Sequence, residues 1–88
     1  MRITRPYGAE DNPTNEAALA VLRGWAKRHG EEIAEAEILE AAVVVKTVSG
    51  RDVRVIRADG STCKNIRNYL SMYETVGGKR IRVKKTEW

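Results

Sequence analysis

Residues 31–48 read EEIAEAEILEAAVVVKTV, and the architecture turns on where their pattern changes. Glu31 to Ala41 is built mostly from glutamate, alanine and leucine, which are good helix formers. Ala34, Ile38 and Ala41 recur at helical spacing with Leu39 beside them, and the acids begin where a helix dipole would favour them. This predicts a short helix over 31–41. From Ala42 the side chains become β-branched, and Val43, Val44, Val45 and Val48 predict a strand. Ser49-Gly50 then reads as a two-residue turn, and Arg51 to Arg57 as the returning strand. With Val48 opposite Arg51, Val44 faces Val55 and Val45 faces Arg54. The face holding Val44, Val48, Val53 and Val55 is then the one that meets the helices.

Working outward, Asn12-Pro13 has the form of a helix start: an N-cap residue, then a proline tolerated at the first helical position. Ala18, Val21, Leu22, Trp25 and His29 follow at helical spacing, Ala17, Ala20 and Gly24 form a small-residue face, and Gly30 is placed to stop the helix. On the other side, Asp59-Gly60 breaks the strand, and Ser61 or Thr62 can cap a third helix. Cys63, Ile66, Leu70 and Tyr73 align on one face of that helix, and Gly77-Gly78 ends it. Lys79 to Lys85 alternates as a last strand, with Arg80, Arg82 and Lys84 outward.

The expected order is ααββαβ: a small α+β domain with two to three helices packed on a three-stranded antiparallel sheet. The 88 residues form a single domain (1–88), with 1–11 as an N-terminal arm or edge strand and 86–88 as a tail. A domain this small gains proportionally from a shared surface, so a homodimer fits its size. Trp88 either docks into a neighbouring copy or a partner, or packs on its own domain beside the first helix or stays exposed.

Charge is uneven along the chain. Residues 31–42 carry five glutamates and no base, whereas residues 43–88 carry eleven Lys/Arg against four acids. An acidic block followed by a basic half points to an anionic partner for the second half alone. The longest apolar run, Ala41 to Val45, is far short of the roughly 20 residues of a membrane span. One cysteine allows no internal disulfide, no metal-ligand spacing is present, and a reducing, cytoplasmic setting is the simplest expectation.

The inventory for catalysis is short. His29 completes a helix stripe, Cys63 lies on an expected buried face, and the glutamates lack a cleft, so the chain reads as a non-enzyme without cofactor or metal. Nothing matches a phosphate-binding loop or a dinucleotide fingerprint. The expected function is backbone-directed, weakly sequence-specific nucleic-acid binding. Arg54, Arg80, Arg82 and Lys84 on one sheet face would contact phosphates, with Lys64 and Arg67 at the start of the third helix as secondary sites. With no aromatic expected on a strand, base stacking is not expected. The rival is a protein-interaction or inhibitory module, of the kind mobile elements use. It would bind a protein partner through Glu31, Glu32, Glu35, Glu37 and Glu40 on the acidic helix, or through the small-residue face.

Overall fold

The computed structural model describes residues 2–4, 13–39, 42–57 and 70–88. Among them the chain runs through β1 (Arg2–Thr4), α1 (Pro13–Arg28), β2 (Ile33–Ile38), β3 (Ala42–Thr47), β4 (Asp52–Arg57), β5 (Leu70–Val76) and β6 (Lys79–Val83). A short 3-10 turn over Lys85–Glu87 follows. The six strands make one sheet in the order β1-β2-β3-β4-β5-β6. β1 pairs parallel to β2 through the α1 crossover, and every other pair is antiparallel.

This corrects the expected architecture. The domain is α+β, but with one described α-helix on a six-stranded mixed sheet rather than two to three helices on three antiparallel strands. The predicted helix over 31–41 is strand β2. Its glutamates explain why: a helix there would crowd five acids with no base in reach. The strand instead sets Glu35 between Arg2 of β1 and Lys46 of β3. Glu35-Ala36-Glu37-Ile38 also alternates, with Ala36 and Ile38 buried and both glutamates exposed. A register shift between Ile33 and Glu35 absorbs Ala34 as an extra residue.

The predicted third helix is overturned over its second half, since Leu70–Val76 is β5; Cys63 and Ile66 lie outside the described residues. Gly77 and Gly78 do not end a helix but turn β5 into β6. Both have positive φ, 58° and 78°, which a two-residue hairpin turn of the favoured hand demands and glycine supplies without strain.

The β3–β4 register also differs by one residue from expectation. Val45 faces Val53 and Val44 faces Arg54, because the turn holds three residues, Val48 to Gly50. Thr47 N–H donates to Arg51 O at 2.9 Å, and Arg51 N–H donates to Thr47 Oγ1 at 2.9 Å. A one-residue slip exchanges the faces of a strand, so Val43 and Val45 are in the core while Val44 is outside and Val48 is 65% exposed in the turn.

The core lies between α1 and one sheet face. Ala18, Leu22, Trp25 and Ala26 of the helix meet Ala36, Ile38, Val43, Val45, Val53, Val55, Leu70 and Met72. The helix stripe differs from the expected one at its ends: Ala26 is buried, Val21 only partly, and His29 is exposed just past the helix. α1 lies across β2, β3 and β4. Beyond its reach, Trp88 folds back against Val83, donating from Nε1 to the Val83 carbonyl at 3.2 Å, and is itself buried. The His29 ring donates from Nε2 to the Glu87 carbonyl at 3.1 Å, tying this return to the end of the helix. Ala20, Val21, Gly24 and Trp88 line a shallow depression of about 220 Å³, so the small-residue face of α1 has its own chain beside it.

Candidate nucleic-acid interface

The sheet face away from α1 is organised in cross-strand rows. One row runs Thr4–Glu37–Val44–Arg54–Tyr73–Arg82, and the next runs Arg2–Glu35–Lys46–Asp52–Thr75–Arg80. Directly opposed side chains in such rows stand about 4.5–5.5 Å apart at Cβ. The acids concentrate on β2 and the cations on β6, where Arg80 and Arg82 are followed by Lys84 with no acid between them. The face therefore runs from mixed charge at the β1–β3 side to positive charge at the β6 edge.

Arg54, Arg80 and Arg82 are thus brought onto one face, and Lys84 is exposed just beyond β6. Lys64 and Arg67 lie outside the described residues. Arg54 is half-buried between Val44 and Tyr73, and its Nε is buried with no hydrogen-bond partner. Asp52 Oδ1, two residues back on the same face, is likewise buried and unpartnered. Among the described residues no carboxylate lies within ion-pair distance of Arg54, Arg80 or Arg82. Arg54, Arg80 and Arg82 thus share the face without an ion pair among the described residues, which leaves much of their field directed at solvent.

Tyr73 is the residue that sequence reasoning misplaced. Its helical spacing predicts a helix, with no aromatic on any strand; it stands instead on the outer face of β5, half-buried, between Arg54 and Arg82. The Arg80 guanidinium sits 5.9 Å from the centre of its ring, within cation–π range. The signal that could have placed it was Gly77-Gly78, which marks a hairpin when the flanking segments alternate.

The acidic residues do not form the expected helical patch. Glu31 accepts a hydrogen bond from Ser49 Oγ and lies 3.8 Å from the Arg51 guanidinium. Glu32 is exposed and its carbonyl accepts from Val48 N–H at 2.8 Å. Glu35 and Glu37 face outward on β2, and Glu40 lies outside the described residues. The segment expected to present them as an acidic helix is strand β2 instead.

A two-pronged ion pair lies on the helix side, away from this face. Arg51 donates through Nε and a terminal nitrogen to the two Glu74 oxygens, at 2.9 and 2.7 Å, and its Cζ lies 4.7 Å from the Trp25 ring centre. These hydrogen bonds hold the Glu74 carboxyl below its ordinary range and raise Arg51 further above its own. This cluster closes the end of the core.

Among the described residues no group of three or more His, Cys, Asp and Glu side chains could hold a metal ion, and no helix is long and apolar enough to cross a membrane. No family model, curated protein or solved structure matches the chain.

Proposed function

We propose that this protein binds nucleic acid without catalysing a reaction, through the outer face of β4, β5 and β6. Arg54, Arg80, Arg82 and Lys84 would neutralise phosphates. The observation that carries this reading is the sharing of one sheet face by Arg54, Arg80 and Arg82, none of them ion-paired to a carboxylate among the described residues. Like charges placed this way repel one another until an anion with repeated charge arrives, and a phosphate backbone is such an anion. Contacts of this kind set affinity and position but carry little sequence information. The single cysteine suits a reducing, cytoplasmic setting.

Binding of labelled oligonucleotides of unrelated sequence, measured at two or more salt concentrations, tests the proposal. Four phosphate contacts correspond to a slope of log affinity against log salt of about −3 to −4. Replacing Arg54 and Arg82 by glutamate should abolish binding at low salt while the fold is retained. Absence of binding by the unaltered protein at low salt would overturn the reading.

A further inference from the structure

Resting on the nucleic-acid reading above, we infer that the row Arg54–Tyr73–Arg82 selects single-stranded nucleic acid by stacking an unpaired base on Tyr73. Tyr73 has no role in the core: its neighbours on β5 that face α1 are Leu70 and Met72, both buried, while Tyr73 points the other way and is half-buried. An outward aromatic at the centre of a cationic sheet face is an arrangement that serves a π-system better than a phosphate. Strands stand about 4.8 Å apart, so Arg54 and Arg82 flank the ring at about 10 Å from each other. A base laid on the ring would therefore leave the phosphates on its two sides near the two guanidiniums.

Arg80 reinforces this. Its guanidinium lies over the ring, 5.9 Å from the centre, so a base stacking on that face takes the place of this flat cation or stacks on it. Guanidinium planes and tyrosine rings both stack on bases, and neither distinguishes strongly between bases. A duplex offers this face only phosphates, because its bases are stacked on one another and reaching one requires unstacking. The same surface therefore binds both forms electrostatically, and Tyr73 adds affinity for the single strand alone.

The test measures fluorescence anisotropy of labelled 20-mers bound to the full chain: a thymidine strand, an abasic strand of equal length, and a duplex. The unaltered protein should bind the thymidine strand about tenfold more tightly than the abasic strand. Tyr73→Leu, which keeps an apolar side chain, should lose about tenfold on the thymidine strand and less than about twofold on the other two. Tyr73→Phe should retain the preference. Arg82→Ala should lower the salt slope on the thymidine strand by about 0.7, which Tyr73→Leu leaves unchanged. Equal binding of thymidine and abasic strands by the unaltered protein would overturn the stacking inference while leaving phosphate binding intact. No binding of any of the three at low salt would overturn both.

Discussion

The Arg51 guanidinium lies over the Trp25 indole, 4.7 Å from the ring centre, while its edge forks onto Glu74 of β5. One side chain immediately before β4 thereby joins the last part of α1 to the neighbouring strand β5. The apolar faces of α1 and the sheet end here, and the fork closes that end with a charge pair whose hydrogen bonds are made. Removing either partner therefore exposes the other.

Glu74→Gln should destabilise the protein by about 1.5–3 kcal/mol at neutral pH, the range for hydrogen bonds to charged groups. Arg51→Lys should cost a similar amount, because an ammonium cannot form the two-pronged contact. Since Glu74 is held below its ordinary value of 4.5, its contribution is complete above that pH and is lost as pH falls below it. Urea unfolding at pH 7 and at pH 3 should show the difference between native and Glu74→Gln proteins shrinking on acidification. A constant difference would mean that the carboxylate charge is not what matters.

Gly24→Ala should raise stability by up to about 1 kcal/mol. Gly24 sits in the interior of α1, where glycine costs helix entropy, and a methyl group built there meets nothing within 4 Å. It would project into the depression beside Trp88. A thermal midpoint lower than that of the native protein would contradict the open space.

Register is tested by two neighbouring valines. Val45→Thr should cost about 1–3 kcal/mol, because Val45 is 0% exposed among apolar side chains and its new hydroxyl would be buried there. Val44→Thr, on the half-exposed outer face, should change stability by less than about 0.5 kcal/mol. The reverse order of effects would restore the register in which Val44 faces Val55.

Trp88→Ala should destabilise the fold by about 3 kcal/mol, since the ring is buried against Val83 and its N–H is satisfied by the Val83 carbonyl. Deleting residues 85–88 should have at least this effect and leave the molecular mass in light scattering unchanged, because Trp88 packs within its own chain. A mass that halves on deletion would make the segment an interface instead.

Local chemistry was enough to locate α1. Asn12-Pro13, the apolar spacing from Ala18 to Trp25 and the stop at Gly30 are all short-range signals, and the helix runs Pro13–Arg28. The same holds for the β-branched run in β3, for its return in β4 and for the alternation that makes β6. The outward placement of Arg80 and Arg82 follows from that alternation alone. What the chain could not announce locally was the state of Glu31 to Ile38 and of Leu70 to Val76, whose side chains suit a helix as well as a strand. Those two segments became β2 and β5 because edges of β3, β4 and β6 lay open beside them, and because pairing set Glu35 between Arg2 and Lys46 while a helix would have left it among like charges. Placing Tyr73 between Arg54 and Arg82 depended on the same pairing. Strand partners are distant in sequence, so the identity of a residue's neighbours across a sheet is a property of the assembled fold.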